Sequence, residues 1–338
     1  MRLYGGIDLH STNQVVALLD EQDQLVYQKR LVNALDVVVN ELSPYQPFIE
    51  GIVVESTYNG YWLVDGLQAA GYRLHLANTA GIQQYTGLKY TDDRFDARWL
   101  AHLLRLGILP EGYIYPKEER AVRDLLRKRG QLVRQRTSHL LSIQNLILRN
   151  TSVRLSSHHI KRLSVTEVDE RLPNRQWALA VKSNLAVMNC LAGQIEMLEQ
   201  EVKAEAKLKP EFQALLTVTG IGTILALTIM LETGDIGRFA RVGQFASYCR
   251  CVDSQHLSNG KKKGTGNVKN GNRYLAWAFI EAANFAIRYN PKIKAFYQRK
   301  KAKTHGLVAV KAVAHKLARA CYYVMRDQVA FETHRAFA

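Results

Sequence analysis

The sequence has few of the features that mark secreted or membrane proteins. Its 338 residues include only four cysteines, and their spacing matches no zinc motif, so we expect free thiols: Cys190, Cys249, Cys251 and Cys321. No basic and apolar leader typical of a signal peptide precedes the first predicted strand. The longest apolar stretch, Leu215 to Leu231, is interrupted by threonines and glycines and predicts buried helices. We therefore expect a soluble, cytoplasmic protein without membrane contact.

Acidic residues are scarce relative to basic ones. The chain has 30 Asp and Glu against 46 Lys and Arg, a formal net charge of +16. Residues 1–115 hold 8 basic and 13 acidic side chains, whereas residues 116–209 hold 18 and 10, and residues 210–338 hold 20 and 7. An excess of this size favours a polyanionic partner, and nucleic acid is the first to consider.

The distribution of apolar residues predicts three domains. Residues 1–115 alternate strands and helices in the order β-β-β-α-β-α-β-α, which matches a ribonuclease H-like sheet. Residues 116–209 are almost wholly helical with a break at Ser152–Pro173, which predicts an antiparallel helical hairpin of the kind that often mediates dimerisation. Residues 210–338 are mostly helical, with helices expected at Tyr274–Arg288 and Gly306–Met325 and a glycine-rich loop at Ser258–Gly271.

Four carboxylates are candidates for a metal site. Asp8 and Glu55 each end an apolar segment typical of a buried strand, where an unpaired charge is costly. Asp93 and Asp96 lie three residues apart on one face of a predicted helix. Converging carboxylates suit a hard divalent cation, which can activate a nucleophile and stabilise the leaving oxygen of a phosphodiester. Taken singly, each acid has an ordinary alternative: a turn, a surface strand end, or an acid at a helix N-terminus.

Several glycines and basic residues are candidates for nucleic-acid contacts. Gly220-Ile221-Gly222 between two helical segments resembles the hairpin of a helix-hairpin-helix motif, in which backbone N–H groups approach phosphates. A tightly packed helix-to-helix turn is the alternative. The basic candidates could follow a sugar-phosphate backbone or simply be solvated surface charges: Lys261, Lys262, Lys263, Lys269, Arg273, Arg299, Lys300 and Lys301.

Three segments around the acids, and a long C-terminal block, resemble one known family. The segments are GIDLHS around Asp8, VVESTYNG around Glu55 and KYTDDRFDARWLA around Asp93 and Asp96; the C-terminal block contains TVTGIGTILALTIMLETGDIGRFARVGQFASYCR followed by SNGKKKGTGNVKNGNRYLAWAF. Together they resemble the DEDD transposases of bacterial insertion sequences. These are the bridge-RNA-guided recombinases, to which the pilin-gene DNA invertases are related.

The resemblance implies a RuvC-like DEDD domain, a coiled-coil insertion and a C-terminal transposase domain with a nucleophilic serine. The position that fits the serine is Ser258, with Ser254 as the alternative. By resemblance, Asp8, Glu55, Asp93 and Asp96 would hold Mg²⁺ or Mn²⁺, and the serine would attack DNA to form a phosphoserine-linked strand. The implied partners are double-stranded donor and target DNA, a bridge RNA, and further copies of the chain in a dimer or tetramer.

Other functions remain open from the residues alone. A DNA invertase of the pilin type would use the same chemistry at fixed inverted sites. A metal-dependent RuvC-like nuclease acting by water attack would use the four acids but leave the serine loop without a role. A DNA-packaging protein would account for the charge but not for the acids.

Overall fold

A mixed β-sheet and a large group of helices occupy different parts of the chain. The structure is a computed structural model, and it describes residues 1–79, 81–82, 92–206, 209–252, 256–264 and 270–337. The chain divides into two units, Met1–Lys117 and the described residues of Glu118–Thr265 with Gly271–Ala338. A mixed α/β part followed by a mostly helical part confirms the predicted fold class at that level. The predicted boundary between residues 209 and 210 lies inside the second unit, so a separate helical domain stays a prediction.

The first unit is built on a five-stranded sheet in the order β3-β2-β1-β4-β5. The strands are β1 (Leu3–Leu9), β2 (Asn13–Leu19), β3 (Leu25–Val32), β4 (Ile49–Glu55) and β5 (Leu74–Ala77). β2 runs antiparallel to both of its neighbours, whereas β1, β4 and β5 run parallel. The central strands β1 and β4 are nearly continuous apolar segments because both of their faces are covered.

Three helices cover this sheet: α1 (Leu35–Leu42), α2 (Tyr61–Ala69) and α3 (Asp93–Arg105). On one face, Ile7 and Val54 pack with Leu63 of α2 and with side chains of α1. On the other face, Val53 packs with Leu100 of α3. Because side chains alternate along a strand, the two clusters lie on opposite faces of β4. Helix α3, which carries Asp93 and Asp96, therefore covers the face of the sheet opposite to α1 and α2.

Two long antiparallel helices begin the second unit, α4 (Lys117–Thr151) and α7 (Arg175–Ala206), joined through the short helices α5 (Ser157–Ile160) and α6 (Val165–Arg171). Arg129 of α4 pairs with Glu199 of α7 at 2.6 Å, and His139 lies 2.8 Å from Asn184 in a hydrogen bond. Residues further along α4 contact residues earlier in α7, so the two helices run antiparallel. This confirms the predicted arrangement. The reversal falls within the predicted break.

The rest of the second unit consists mainly of helices that share one hydrophobic core. Its helices are α8 (Pro210–Leu216), α9 (Thr223–Thr233), α10 (Val242–Tyr248), α11 (Arg273–Tyr289), α12 (Pro291–Lys301), α13 (Gly306–Asp327) and α14 (Thr333–Ala336). Every residue of α9 from Leu225 onward is buried, as an all-round apolar helix requires. The prediction of buried helices for the apolar stretch from Leu215 to Leu231 is thus confirmed for α9, whereas Leu216 at the end of α8 is exposed. Among the described residues, no helix is both long and apolar enough to span a bilayer.

The segment predicted as a glycine-rich loop is, in its described first part, a β-hairpin. Strands β6 (His256–Ser258) and β7 (Lys261–Gly264) pair antiparallel, with Ser258 opposite Lys261. The two turn residues have positive φ angles, 49° at Asn259 and 69° at Gly260. Asn-Gly is the preferred pair for a two-residue hairpin turn of this kind, because both residues tolerate the left-handed region. The prediction of a loop was wrong for Lys261–Gly264, which forms a strand. The Asn259-Gly260 pair in the sequence is itself a hairpin-turn signal.

Candidate active site

Two acids lie at the ends of the central strands. Asp8 is the penultimate residue of β1 and is only 3% exposed. Ile7 of β1 is in register with Val54 of β4, so Glu55, the last residue of β4, follows beside Asp8. Parallel neighbouring strands that end together bring both carboxylates to the same edge of the sheet.

Helix α3 brings the other two acids to this edge, and a glycine makes its close approach possible. A Cβ atom added at Gly6 of β1 would lie 2.7 Å from the backbone nitrogen of Ala101 and would also collide with the backbone oxygen of Ala97. Only a glycine therefore lets α3 rest directly on β1. Gly6 and Asp8 are two residues apart and share a face, so the first turn of α3, with Asp93 and Asp96, lies over Asp8.

A further acid, Asp92, directly precedes Asp93 and has a structural role. Asp92 is the N-cap of α3, and its side chain accepts a hydrogen bond of 2.8 Å from the backbone N–H of Phe95. This is the ordinary function of an aspartate at a helix start. Of the three acids in the segment, the two that the resemblance selects, Asp93 and Asp96, are the ones left free of capping.

Two basic side chains that the sequence reasoning missed also belong to this cluster. His10 Nε2 lies 3.1 Å from Asp8 Oδ2 and 3.3 Å from Asp93 Oδ1. Arg30 of β3 donates to Asp93 Oδ2 at 2.6 Å and to Asn13 Oδ1 at 2.6 Å. The signal for His10 was its position two residues after Asp8. Arg30 gave none, since only the pairing of β3 with β2 brings it near.

Burial and neighbouring charges shift the pKa values of the acids in opposite directions. Burial, a hydrogen-bonding contact with Asp8, and repulsion from Asp8 and Asp96 raise the pKa of Glu55 to about 7. Burial and repulsion from Asp8, Asp93 and Asp92 also raise the pKa of Asp96. The hydrogen bond from Arg30 is the main cause that lowers the pKa of Asp93. Around Glu55 and Asp96, the negative charge of neighbouring acids is therefore not balanced by nearby basic groups.

The donor atoms fit a divalent cation. Asp8 Oδ2 and Asp96 Oδ1 are buried, and within the described part of the chain neither accepts a hydrogen bond of normal geometry. One potential ligand atom each from Asp8, His10 and Asp93 lies within 4.8 Å of the others. Buried carboxylate oxygens without donors are the ligands that Mg²⁺ and Mn²⁺ prefer. A cation here would also relieve the repulsion that raises the pKa of Glu55.

Comparison with known proteins places both halves of this architecture in one family. A profile of DEDD transposases of the IS110 type matches residues 5–151, which contain all four acids. A profile described as the transposase IS116/IS110/IS902 family matches residues 212–298. The chain belongs to the IS110 family of DEDD transposases.

Curated relatives carry consistent names. The transposase for insertion sequence element IS1111A of Coxiella burnetii is 25% identical over 296 residues, covering 84% of this chain and 78% of its own. A probable family 20 transposase of Pseudomonas aeruginosa is 23% identical over 292 residues, covering 84% and 83%. The transposase for IS1328 of Yersinia enterocolitica is 26% identical over 220 residues, covering 64% and 66%.

In the transposase, the predicted nucleophile lies on the hairpin of the second unit. Ser258 ends β6, directly before the Asn259-Gly260 turn, and is exposed. Lys261 and Lys263 of β7 are exposed on the same hairpin, and Lys262 pairs through its backbone with Leu257. The alternative nucleophile Ser254 and the predicted contact Lys269 lie outside the described residues.

The two glycines of the predicted helix-hairpin-helix segment differ in their surroundings. Gly220 has φ of +91°, and a Cβ atom there would lie 2.7 Å from the backbone nitrogen of Ala286 in α11. Close packing against α11 explains Gly220 fully. Gly222 is the N-cap of α9, and among the described residues no atom lies within 4 Å of a Cβ placed on it. Gly222 alone retains the open backbone that a phosphate contact needs.

The remaining predicted contacts lie on helix ends. Arg273 is the first residue of α11, while Arg299, Lys300 and Lys301 form the exposed last turn of α12. Lys300 Nζ lies 5.9 Å from the ring centre of Phe296, and Lys301 Nζ lies 6.0 Å from that of Tyr297. Cations at a helix C-terminus interact favourably with the helix dipole. The α12 cluster therefore has a structural explanation besides nucleic-acid binding.

Proposed function

We propose that this insertion-sequence transposase cuts and rejoins DNA through Ser258, assisted by a divalent cation held by Asp8, Glu55, Asp93 and Asp96. The observation that carries the proposal is the acid cluster at the ends of β1 and β4, in which buried oxygens of Asp8 and Asp96 accept no hydrogen bond of normal geometry from the described residues. Such a cluster costs free energy unless a cation completes it. Family membership supplies the reaction class, and the exposed position of Ser258 is compatible with attack on a DNA strand.

The topology of the first unit supports a RuvC-like assignment. An antiparallel β3-β2-β1 set continues into the parallel strands β4 and β5, with acids at the ends of β1 and β4. A ribonuclease H-like sheet is expected to have these two acids on adjacent central strands, and β1 and β4 are neighbours in this sheet. The long pair α4 and α7 is equally compatible with a coiled-coil insertion that joins copies of the chain in a dimer or tetramer.

The proposed chemistry consists of two transesterifications. Bound Mg²⁺ or Mn²⁺ would lower the pKa of the attacking hydroxyl and neutralise the phosphate. The Ser258 oxygen forms a bond to phosphorus, the bond from phosphorus to a deoxyribose oxygen breaks, and the serine proton leaves to a base. Attack by a second DNA strand end then releases Ser258. Each step exchanges one phosphodiester for another, so no ATP is required.

The partners of the proposed reaction follow from charge and family. Exposed Lys261 and Lys263 beside Ser258 suit a DNA backbone. Double-stranded donor and target DNA are the substrates that a transposase requires. A bridge RNA encoded by the element would choose the sites, a partner that the resemblance alone suggests. A pilin-type invertase would differ by working without such a guide.

The decisive experiment looks for a covalent protein–DNA adduct. The gene would be expressed with its native flanking DNA and transcript, and protease-sensitive adducts would be assayed with and without Mg²⁺. Wild type would be compared with Asp8→Asn, Ser258→Ala and Ser254→Ala. Ser247→Ala, an exposed serine of α10 in the same unit, is the matched control. We expect adducts only with Mg²⁺, and none from Asp8→Asn or Ser258→Ala.

Each other outcome identifies an alternative. An adduct that survives Ser258→Ala but not Ser254→Ala moves the nucleophile to Ser254. Mg²⁺-dependent cutting without any adduct indicates a RuvC-like nuclease that uses water. Adducts that form on fixed inverted sites without the transcript indicate the invertase. Neither cutting nor adducts, with flanks and transcript present, rejects the proposal.

A further inference from the structure

A cavity of about 420 Å³ lies among α4, α9 and α11 in the second unit. Its size falls within the range of small-ligand pockets. No predicted catalytic residue lines it. The lining combines guanidinium groups, aromatic rings and aliphatic side chains: Leu126, Arg127, Arg129, Gly130, Val133, Arg134, Ile224, Thr228, Glu232, Arg273, Tyr274 and Trp277. We call it the arginine–tryptophan pocket.

The pocket has guanidinium groups that no carboxylate of the described residues neutralises. Glu232, the one carboxylate of the lining, is held by Arg127 through two bonds of 2.6 and 2.7 Å. Arg129 pairs with a carboxylate of α7. Arg134 and Arg273 contact no carboxylate within the described part of the chain. Two guanidinium groups are therefore available to an anionic ligand, and guanidinium suits phosphate well.

One aromatic ring of the pocket remains available for stacking. The ring of Tyr274 has the guanidinium of Arg127 at 4.7 Å and that of Arg273 at 5.0 Å from its centre. Trp277, one turn further along α11, is 45% exposed, although a large apolar ring is normally covered. Val133 and Ile224 contribute aliphatic side chains to the lining of the same pocket. A flat aromatic group joined to a negative charge matches this lining.

Hydrogen bonds connect the helices that form the walls of the pocket. Glu232 is 3% exposed and also accepts a hydrogen bond of 2.7 Å from Asn272 Nδ2. Asn272 Oδ1 in turn caps α11 by accepting from the N–H groups of Tyr274 and Leu275. This network fastens the first turn of α11 to α9 and, through Arg127, to α4. A preformed site loses little conformational entropy on binding.

We propose that the arginine–tryptophan pocket binds one unstacked nucleotide of a single-stranded nucleic acid. The base stacks on Trp277, and Arg134 and Arg273 contact the phosphate. An indole beside guanidinium groups is the usual platform for unpaired bases, whereas a duplex keeps its base faces covered. The inference rests on the proposed function, because it assumes that nucleic acid is the partner. It adds a specific site for strands that are unpaired.

The test compares binding of a short oligonucleotide with binding of its duplex, using the full chain without metal. The oligonucleotide is prepared as single-stranded DNA, as single-stranded RNA and as double-stranded DNA of equal length. The pocket variant is Arg273→Gln with Trp277→Phe. The matched control is Arg175→Gln with Trp177→Phe on α7, where Trp177 is 43% exposed. Circular dichroism confirms that each variant is folded.

We expect the pocket variant to bind the single strands roughly 5- to 100-fold more weakly and the duplex within about twofold of wild type. The control variant should bind all three like wild type. Single strands should also quench tryptophan fluorescence, and Trp277→Phe should remove that quenching while Trp177→Phe keeps it. A difference between the DNA and RNA arms assigns the strand that the pocket receives. If the double variant is unfolded, Arg134→Gln alone should weaken single-strand binding.

Several results would overturn the inference. Equal losses in pocket and control variants, or for single strand and duplex, would mean that only general charge attraction was measured. Displacement of the oligonucleotide by an acidic peptide that quenches Trp277 equally would assign the pocket to a protein segment. A changed oligomeric state in the pocket variant would assign it to contact between copies of the chain.

This test is independent of the cleavage assay. No residue of the pocket lies in the acid cluster, and the binding assay uses no metal. Absence of adducts together with selective binding would reject the serine mechanism and keep the pocket. Adducts that form normally while the pocket variant binds single strands like wild type would reject the pocket and keep the mechanism.

Discussion

At the scale of single residues, the acid cluster shows how charge and burial oppose each other. Asp8 is almost fully buried, and its Oδ2 has His10 nearby as a basic neighbour. Glu55 has its pKa raised to about 7, mainly by burial. These groups therefore destabilise the protein without a cation and would be stabilised by binding one. Two measurable consequences follow.

Asp8→Asn should separate stability from metal binding. Removing one charge from the cluster relieves repulsion, so the metal-free variant should be as stable as wild type or melt up to about 4 °C higher. Mn²⁺ should raise the Tm of wild type but leave that of the variant unchanged. Asp36→Asn, an exposed acid of α1, is the control and should respond like wild type. Equal stabilisation of all three by Mn²⁺ would contradict a site at Asp8.

The raised pKa of Glu55 predicts the direction of the pH dependence. Between the ordinary value of 4.5 and about 7, the folded protein holds a proton that the unfolded chain releases. The contribution of Glu55 to the free energy of unfolding is therefore fully present below pH 4.5 and is lost as the pH rises through about 7. Without metal, Tm should fall as the pH is raised from 5 to 8, and Glu55→Gln should lessen the fall by about 3 °C. An identical profile in Glu55→Gln would exclude this cause.

At the scale of secondary-structure elements, close backbone contact decides where functional groups meet. Helix α3 can rest on β1 because Gly6 has no side chain, and the turn before α9 can rest on α11 because Gly220 has none. In both places small residues face the glycine, Ala97 and Ala101 in the first and Ala286 in the second. The acid cluster depends on the first contact, since α3 carries two of its members.

Gly6→Ala should therefore be severely destabilising, although it adds a single methyl group. The methyl would overlap the backbone of α3, and the cost should be about 2–4 kcal/mol in the free energy of unfolding. Gly193→Ala in α7 is the matched control. No described atom lies within 4 Å of its Cβ position, so alanine there should be neutral or stabilise the helix by up to about 1 kcal/mol. Urea unfolding measures both, and a mild loss in Gly6→Ala would show that α3 can shift freely.

The sequence predicts elements well where the signal is local. The apolar segments before Asp8 and Glu55 indicated buried strands, and the spacing of Asp93 and Asp96 indicated one helix face. Their convergence could be expected because the order of elements along the chain matches a ribonuclease H-like sheet. The position of Arg30 at Asp93 could not, because it depends on the pairing of β3 with β2. The arginine–tryptophan pocket was missed for the same reason, since its three helices are far apart in sequence.

At the scale of the whole molecule, the change from an acidic to a basic composition falls near the boundary between the two units. Residues 1–117 contain 9 Lys and Arg and 13 Asp and Glu, whereas residues 118–338 contain 37 and 17. The boundary between the two units falls at this same position. Attraction to a polyanion should thus come from the second unit, whereas the acids that we propose to bind a metal lie in the first.

Expressing the units separately tests this division. Residues 118–338 should retain most of the affinity for duplex DNA, with a steep loss on raising salt because many counterions are released. Residues 1–117 should bind DNA weakly but should still be stabilised by Mn²⁺. Filter binding across a salt series and thermal melting are the measurements. Strong DNA binding by the first fragment alone would contradict the assignment by charge.

The Ser258 hairpin restricts how this part of the gene can vary in length. Its register depends on a turn of only two residues, Asn259 and Gly260. Side chains along a strand alternate between faces, so one codon inserted between Ser258 and the turn moves the serine to the opposite face. A gain of two codons restores the face and displaces the hydroxyl along the strand. Descendants of this element that remain active should therefore keep Ser258 directly before a two-residue turn.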